Sequence, residues 1–427
     1  MNIKAPRGTS DILFDKADMK QFIEKTAVIL FEQFGYHPII TPTFEHTELF
    51  QRGIGESTDI VQKEMYTFKD KGGRSLTLRP EGTAPVVRAY LENGLASKSL
   101  PLKLYYCGQM FRYERPQAGR YREFWQLGVE AIGSRDAFID AEVILLLVTL
   151  LKKLGLKDLE LHLNSMGCPE CRKSFSESLK GYLANKTEHL CDDCKRRARV
   201  NPLRVFDCKV RGCQAAIKNA PLISNFWCED CSNHFETVKG LLDDMGVSYI
   251  LNPALVRGFD YYTKTTFEVR TQSLGAQNAL GGGGRYDGLV EEFGGLSTPA
   301  IGWAIGTERV VMAIEELGVK LPLNSHIDVF VAAIDEARKK GFNLLNNLRK
   351  HGISADMDYA GRSLKGQMKL SNKLNVSYVI IMGPEELRKN TCLIRNMDTG
   401  EQSEMQISDI TRWAKDTFKV RKAGFDV

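Results

Sequence analysis

The spacing of apolar residues predicts alternating helices and strands in the first part of the chain. Apolar side chains recur at helical intervals over residues 18–34, and Gly35 ends this pattern. Residues 102–113 and 120–132 have the character of β-strands, and a polar connector joins them as a hairpin with a longer loop. The other elements predicted before residue 166 are a strand at 38–44 interrupted by Pro42, a helical turn at 45–50, a hairpin of 65–70 with 75–78, helices at 84–91 and 136–154, and a strand at 159–163.

The pattern changes after about residue 326, where strands and helices alternate as βαβαβ. This alternation indicates a small α/β domain with a parallel sheet. The elements predicted there are strands at 327–333, 353–358 and 378–382, helices at 336–351 and 363–374, a hairpin of 393–397 with 401–407, and a last helix that leads into a tail bearing lysine and arginine. The predicted organisation is a first domain in two parts, 1–165 and 251–321, a cysteine-rich helical insertion at 166–250, a linker at 322–325, and a separate domain at 326–427.

Composition narrows the class of protein. The chain has 427 residues, of which 43% are hydrophobic and 26% are charged, as in soluble globular proteins. The N-terminal segment has no apolar core for a signal peptide, and the longest apolar run, 143–151, is too short to span a bilayer. We therefore expect a cytoplasmic protein with no membrane association. The net charge of +5 permits contact with nucleic acid but does not by itself indicate it.

Eight of the ten cysteines lie between residues 168 and 231. Without an export signal, they indicate reduced thiols or metal ligands and not disulfides. They are Cys168, Cys171, Cys191, Cys194, Cys208, Cys213, Cys228 and Cys231, and three of their pairs have the CxxC spacing of zinc ligands. We expect two sites of four thiolates, grouped in sequential order as 168/171/191/194 and 208/213/228/231. The spacing does not fix this grouping, and free thiols in a helical insertion are the alternative.

The hairpin at 111–133 combines positive charge with an aromatic ring. Its four arginines are Arg112, Arg115, Arg120 and Arg122. Arginine binds phosphate and carboxylate through two parallel hydrogen bonds, so this crowding indicates an anionic ligand. Alternate positions from 122 to 130 share one strand face, which would place Phe124, Gln126 and Glu130 beside that charge. A solvated basic hairpin with a core aromatic residue is an equally good interpretation.

Three further segments are candidates for ligand contacts. Residues 79–83 stand between a strand and a helix, where ligand-binding residues and ordinary helix caps are both common. The glycine run at 281–284 lacks the spacing of a dinucleotide-binding loop and suits a surface where the backbone approaches a ligand. Arg309 falls in the first turn of a predicted helix, where it opposes the helix dipole, so a nearby anion would explain it.

Together these segments resemble the histidyl-tRNA synthetases, a family of class II aminoacyl-tRNA synthetases, along nearly the whole chain. The hairpin is similar to motif 2 of class II enzymes, residues 306–309 to motif 3, and the strand near Pro42 to motif 1. The segments that resemble this family in particular are 79–83, 256–262 and 283–288. The unit after residue 326 resembles the anticodon-binding domain of the family.

The resemblance implies an α+β catalytic domain with an antiparallel sheet, a C-terminal α/β anticodon-binding domain, and a homodimer built partly through motif 1. It also implies a two-step reaction. L-histidine attacks the α-phosphate of ATP to give histidyl-adenylate and pyrophosphate, and the histidyl group then moves to the 3′ end of tRNA(His). Mg²⁺ would accompany ATP, and any Zn²⁺ in the cysteine-rich insertion would be structural.

The resemblance further implies roles for individual residues. The catalytic residues would be Arg112 and Arg257, both at the α-phosphate, and ATP would also contact Arg120, Phe124 and Arg309. Histidine would be bound by Glu81 and Thr83 at its α-ammonium group, Gln126 at its carboxylate, and Glu130, Tyr262 and Tyr286 at its imidazole ring. The tRNA acceptor end would meet Arg115 and Gln117, and Arg122 has no assigned role.

Two other interpretations are weighed against an enzyme. A synthetase-like regulatory subunit of ATP phosphoribosyltransferase would share the catalytic-domain fold. Such proteins lack the anticodon-binding domain and tend to lose the catalytic arginines, whereas this chain has candidates for both. The third interpretation is a zinc-dependent RNA-binding module with an inactive synthetase core.

Overall fold

The computed structural model describes residues 3–56, 58–98, 100–323 and 327–418, without the side chains of residues 276 and 277. The chain divides between Leu321 and Pro322 into two compact units. Part of the predicted linker and the basic tail lie outside the described residues. Over the ranges described, every helix is too short or too polar to cross a membrane.

A large sheet forms the centre of the first unit. The strands of this unit are β1 (His37–Pro38), β2 (Phe44–His46), β3 (Tyr66–Lys69), β4 (Ser75–Leu78), β5 (Leu102–Phe111), β6 (Glu123–Ile132), β7 (Leu159–Ser165), β8 (Ile250–Leu251), β9 (Thr263–Thr271), β10 (Ala279–Arg285) and β11 (Ala300–Gly306). Eight of them form a sheet in the order β1-β5-β6-β11-β10-β9-β7-β8. The outer pairs β1/β5 and β7/β8 are parallel and the inner pairs are antiparallel. A smaller antiparallel sheet has the order β2-β4-β3.

Helices cover one face of the large sheet. The helices of the first unit are α1 (Asp15–Gln33), α2 (Thr47–Ile54), α3 (Thr83–Glu92), α4 (Ala137–Lys153), α5 (Pro169–Ala184), α6 (Asp192–Val200), α7 (Arg211–Ile217), α8 (Glu229–Asp244), α9 (Leu289–Glu292) and α10 (Thr307–Glu316). Apolar residues of α1, α4, α8 and α10 form one core with alternate residues of the strands, including Leu127 and Val129 of β6. Because side chains alternate along a strand, Phe124, Gln126 and Glu130 face away from these helices.

The cysteine-rich insertion, between β7 and β8, contains α5 to α8 and has a core of its own. Phe175, Leu179 and Leu183 of α5 pack in that core with Leu203 and Val205, which lie in a short 3-10 turn. Three cysteines stand at the residue before a helix: Cys168 before α5, Cys191 before α6 and Cys228 before α8. The sequence therefore places the first thiol of each CxxC pair at a helix N-terminus.

The second unit is an α/β domain. Its strands are β12 (Val329–Ala333), β13 (Ala355–Met357), β14 (Tyr378–Met382), β15 (Thr391–Asn396) and β16 (Gln402–Gln406), and its helices are α11 (Ala337–Lys350), α12 (Leu364–Lys373), α13 (Pro384–Lys389) and α14 (Ile410–Thr417). The strand order is β13-β12-β14-β15-β16, parallel through β14 and antiparallel after it. The predicted fold class of an α+β domain, a helical insertion and a terminal α/β domain is confirmed.

Three of the predicted strands differ in their bounds from the observed ones. The strand expected at 38–44 is divided into β1 and β2. The guanidinium group of Arg79 donates a hydrogen bond to the carbonyl of Thr41, and Pro42 has no N–H to donate, so strand pairing is interrupted there. Both strands of the hairpin are shorter on the connector side than expected: the first ends at Phe111 and the second begins at Glu123, since backbone groups of the connector bond elsewhere. One of these bonds runs from the amide of Arg122 to the carbonyl of Gly8, at 2.8 Å.

Candidate active site

A cavity of about 210 Å³ lies at the large sheet, on the face that Phe124 and Gln126 share. It brings together six residues predicted to bind ATP or histidine: Arg112, Arg120, Phe124, Gln126, Arg257 and Arg309. These residues come from the hairpin, the 256–262 segment and the start of α10, which are far apart in the sequence. Four guanidinium groups around one cavity make it suited to a polyanion.

Arg112 connects the cavity with the residues at the start of α3. Its Nε donates to the carbonyl of Pro80 at 2.8 Å, and its guanidinium carbon lies 5.3 Å from the ring centroid of Phe124. Glu114, which the sequence analysis missed, pairs with Arg120 at 3.1 Å and lies 4.0 Å from Arg112. This carboxylate offsets part of the positive charge that the sequence places on the hairpin.

Arg257 is held by a carboxylate that the sequence analysis also missed. Its Nη1 donates to Glu268 at 2.6 Å, and Arg270 donates to the other oxygen of Glu268 at 2.7 Å. Burial raises the pKa of Glu268, but the two guanidinium groups outweigh burial, so this pKa lies below its usual range. The signal in the sequence was a Glu two residues from an Arg in β9, which share one strand face.

The glycine run at 281–284 lies in β10 and not in a loop. A Cβ at Gly282 would lie 2.3 Å from the carbonyl oxygen of Phe267 and 3.1 Å from Nη1 of Arg257. The glycines therefore allow β10 to fit between its neighbours and leave room for the Arg257 side chain.

Arg309 reaches across the cavity from the first turn of α10. Its guanidinium group donates to the carbonyls of Gly119 at 3.2 Å and of Ala279 at 2.7 Å. Burial lowers the pKa of Arg309, and the nearby positive charge of Arg120 adds to this effect. The preceding residue, Glu308, accepts hydrogen bonds from the amide of Trp125 and so connects α10 to β6.

A second group of predicted residues surrounds the buried carboxyl group of Glu130. The hydroxyl of Thr83 donates to its Oε1 at 2.7 Å, and the hydroxyl of Tyr286 donates to its Oε2 at 2.5 Å. A Cβ at Gly302 would lie 1.8 Å from Oε2, so this strand neighbour has to be glycine. Burial outweighs the two hydrogen bonds and raises the pKa of Glu130 to about 8.

Glu81 lies at the N-terminus of α3 and caps it. Its carboxylate accepts from the amides of Thr83 at 2.6 Å and of Ala84 at 2.8 Å. Burial raises the pKa of Glu81 even though these amides favour the charged form. The segment 79–83 thus supplies both a helix cap and a buried carboxylate, and the two interpretations of its sequence are compatible. Arg79 itself is structural, since it donates to backbone carbonyls of Thr41 and Gln109.

Tyr262 and Gln126 complete the set expected to bind histidine. The ring of Tyr262 lies 4.8 Å from that of Tyr261, which in turn lies 5.7 Å from Tyr286. Gln126 is buried, and among the described residues no hydrogen-bond partner lies close to its Oε1. An unpaired buried amide oxygen is costly, so this atom is available to a ligand donor.

Three residues in or next to the hairpin connector do not line the cavity, namely Arg115, Gln117 and Arg122. Arg115 and Gln117 are exposed in the connector between β5 and β6. Arg122 has a structural explanation: its guanidinium group stacks 3.8 Å from the ring centroid of Tyr113 and donates to the carbonyls of Glu114 and Arg7. It therefore ties the hairpin to the N-terminal segment, and its predicted place on the face of Glu130 is wrong.

The eight cysteines of the insertion form two groups of four, but the sequential grouping is wrong. The groups are Cys168, Cys171, Cys228 and Cys231, and Cys191, Cys194, Cys208 and Cys213, with sulfur atoms of each group within 4.8 Å of one another. The first group forms because the N-termini of α5 and α8 meet, where the amide of Cys228 donates to the sulfur of Cys171 at 3.1 Å. Helix packing, which the spacing does not encode, decides the grouping.

Comparison with known proteins identifies the family. The family model of histidyl-tRNA synthetase matches residues 8–310, and a model of the anticodon-binding domain matches residues 322–417. The histidine–tRNA ligase of Halothermothrix orenii is 54% identical over 96% of this chain and 98% of its own length. The chain belongs to the histidyl-tRNA synthetase family. The corresponding ligase of Caldanaerobacter subterraneus is 51% identical over 97% of this chain and 100% of its own length.

Solved structures agree with this membership of the histidyl-tRNA synthetase family. The apo histidyl-tRNA synthetase of S. aureus has a TM-score of 0.83 and 40% identity, and the match covers 97% of this chain and all of that one. A protein from Bacillus halodurans described as an ATP phosphoribosyltransferase regulatory subunit or histidyl-tRNA synthetase has a lower TM-score, 0.65, with 25% identity. The match to it covers 90% of this chain and 99% of that one.

The raised pKa of Glu130 makes stability depend on pH. An unfolded glutamate titrates near pH ~4.3, whereas the folded group keeps its proton up to about pH 8. Between these values the unfolded chain releases a proton that the folded chain holds, so the free energy of unfolding falls as pH rises. Glu130→Gln cannot titrate. We expect wild type to lose stability relative to this variant from about pH 5 to 8, with no further change above that window. Denaturant unfolding of both proteins without histidine, at several pH values, measures this difference in the free energy of unfolding. A difference that does not change with pH would contradict the raised pKa of Glu130.

Proposed function

We propose that this chain is a histidine–tRNA ligase that activates L-histidine with ATP and transfers it to the 3′ end of tRNA(His). The observation that supports this most strongly is the convergence of Arg112, Arg257 and Arg309 on one cavity. The buried carboxyl groups of Glu81 and Glu130 lie on the same side of the large sheet. Arg112 bonds the carbonyl of Pro80, the residue before Glu81, and Thr83 at the start of α3 bonds Glu130. One end of the site therefore suits phosphates, and the other suits an amino acid with an ammonium group and an imidazole ring.

In the first step, a carboxylate oxygen of histidine attacks the α-phosphorus of ATP. A new P–O bond forms, the bond to the bridging oxygen of the β-phosphate breaks, and pyrophosphate leaves with the electron pair. Because no proton has to move, the protein contributes positioning and neutralisation of charge. Arg112 and Arg257 would neutralise the α-phosphate, Arg120 and Arg309 would hold the outer phosphates, and Phe124 would stack on adenine. Mg²⁺ bound with ATP would add positive charge at the phosphates.

Selection of histidine would depend on Glu81 and Glu130. Glu81, with Thr83 beside it, would bind the α-ammonium group, and Gln126 would bind the carboxylate. Glu130 and the hydroxyl groups of Tyr262 and Tyr286 would bind the two ring nitrogens. A buried polar site of this kind rejects side chains that cannot satisfy it, because its own groups would be left unpaired.

The proposal includes the partners of the reaction. We propose that the exposed Arg115 and Gln117 contact the acceptor end of tRNA(His), and that the second unit binds the anticodon. We also propose a homodimer built partly around the segment near Pro42, and a cytoplasmic location. The match of the anticodon-binding domain model over residues 322–417 supports the proposal that the second unit binds the anticodon.

Histidine-dependent exchange of pyrophosphate into ATP tests the proposed function. Pure protein should exchange pyrophosphate only when histidine is present, and it should then charge tRNA(His). A regulatory subunit or an inactive RNA-binding module would give no exchange. Folded, pure protein that shows no histidine-dependent exchange would overturn the proposal.

We also propose that each group of four cysteines holds one structural Zn²⁺. Tetrahedral zinc with bonds of about 2.3 Å to sulfur separates its sulfurs by about 3.8 Å. Two observed separations fit this value, 3.5 Å between Cys168 and Cys171 and 3.9 Å between Cys191 and Cys208. Four thiolates without an open position suit a structural and not a catalytic ion.

Elemental analysis of protein purified without chelator should find a zinc content of about two ions per chain, one for each group of cysteines. Cys231→Ser should lower the zinc content by about one ion per chain, because four-coordinate sites depend on each ligand. The control is Cys107→Ser, which removes a thiol of β5 outside both groups and should leave the content unchanged. Metal-free protein in which all eight thiols react freely would refute the zinc sites.

A further inference from the structure

The cysteine-rich insertion holds the segment that carries Arg257 and Tyr262. This segment, residues 252–262, contains neither helix nor strand, so its shape depends on what binds its backbone. Arg172 of α5 donates from one nitrogen to two of its carbonyls, that of Asp260 at 3.1 Å and that of Tyr262 at 2.8 Å. A single side chain of the insertion thus fixes the backbone on either side of Tyr261.

A second arginine of the insertion binds the same segment at Arg257. Arg204, which is 9% exposed, donates to the carbonyl of Arg257 at 2.8 Å. Its neighbour Asn201 donates to the carboxylate of Asp260 at 2.8 Å. The backbone carbonyls of Arg257, Asp260 and Tyr262 are therefore all bound by guanidinium groups of the insertion.

Both arginines lie close to the two groups of cysteines along the chain. Arg172 directly follows Cys171, in the first turn of α5, at the helix N-terminus that carries two members of the first group. Arg204 lies in the 3-10 turn between Cys194 and Cys208, two members of the second group. Each donor is thus on a turn that adjoins one of the groups.

We propose that Arg172 and Arg204 are positioning residues that hold the 257–262 segment in the shape that binds histidine, and that the two thiolate groups fix them. This rests on the proposed function and on the proposed zinc sites. When a thiolate group loses its metal, the donor beside it is released. Tyr262 and Arg257 then shift, and small shifts of binding groups are costly for both histidine binding and adenylate formation.

The test compares Arg172→Met and Arg204→Met with wild type. Methionine keeps most of the apolar stem and removes the donors. We expect each variant to raise the KM for histidine and lower kcat of pyrophosphate exchange by about tenfold, with the KM for ATP within about twofold of wild type. The matched control is Arg196→Met, because Arg196 of α6 also links the insertion to the rest of the unit, but its guanidinium group bonds Gln62, at 3.1 Å, and Asp193 instead of a carbonyl of this segment. It should match wild type.

A purely structural role would lower the folded fraction or raise both KM values alike, so a rise in KM that is confined to histidine marks positioning. If Arg172→Met does not fold, Arg172→Lys serves, because it keeps the charge but replaces the planar Nη1, with its two fixed N–H groups, by a rotating ammonium group, and a rise of about threefold in the KM for histidine is expected. Histidine kinetics within twofold of wild type in folded Arg172 and Arg204 variants would overturn the proposal. Absence of exchange in wild type would instead refute the proposed function.

Calorimetric titration with histidine alone tests the contribution of the metal without any turnover. Chelation of the zinc-loaded wild type should weaken histidine binding by about tenfold, and added Zn²⁺ should restore it. Unchanged affinity after verified zinc loss would overturn the link between the thiolate groups and the histidine site.

Discussion

Arg257→Ala should reduce pyrophosphate exchange by about 10²-fold or more while histidine binding without ATP stays close to that of wild type. Arg257 lines the phosphate end of the cavity, and its guanidinium group is fixed by Glu268 at 2.6 Å. A cation held in advance stabilises charge that develops on the α-phosphate, and it does so without reorganisation during the reaction. Single-turnover formation of the adenylate, with histidine affinity from calorimetry, separates these two effects.

The matched control for this variant is Arg270→Ala. Arg270 also pairs with Glu268, at 2.7 Å, but it is not among the residues that line the cavity. Loss of the Arg270 side chain therefore removes one of the two arginine partners of Glu268 without removing a residue that binds phosphate. We expect activity to fall by less than about fivefold. A near-normal rate in Arg257→Ala would show that this arginine is not at the reacting phosphate. Equal losses in both variants would assign the effect to Glu268 instead.

Glu130→Gln should raise the KM for histidine on the order of 10²-fold, with a much smaller change in the KM for ATP. The substitution keeps the size of the side chain but puts an amide, which cannot titrate, in place of a buried carboxyl group. The hydroxyls of Thr83 and Tyr286 donate to the two oxygens of Glu130. When histidine binds, the carboxyl group can release its proton and accept a hydrogen bond from an imidazole N–H, whereas the N–H group of an amide would face that donor, and unpaired buried donors are costly.

Glu123→Gln is the control. Glu123 begins the same strand as Glu130 but lies an odd number of positions from it, so its side chain faces the other side of the sheet. Its exchange kinetics should match those of wild type. If Glu130→Gln binds histidine normally, Glu130 does not bind the imidazole ring. If both variants lose affinity equally, the cause is the strand and not the carboxyl group.

Local patterns were sufficient to predict much of the site. The alternation along β6 predicts that Phe124 and Gln126 share a face, and both line the cavity. The helix spacing of α1 predicts its buried residues Ile23, Ala27 and Leu30. These inferences succeed because they depend on geometry within one element.

Contacts between distant elements could not be predicted in this way. The pairing of Arg257 with Glu268 depends on how an irregular segment folds back on β9. The grouping of Cys168 with Cys231 depends on α5 and α8 meeting at their N-termini. Arg122 had no assigned role, because charge alone does not reveal that its partners are Tyr113 and backbone carbonyls. In each case, the deciding partner lies in another part of the fold.

A crystal structure with a non-hydrolysable analogue of histidyl-adenylate is the most direct test of the proposed site. We expect the phosphoryl group between Arg112 and Arg257, adenine on the ring of Phe124, and a ring nitrogen of histidine within hydrogen-bond distance of Glu130. An imidazole ring bound away from Glu130, or a phosphoryl group that contacts neither arginine, would contradict it.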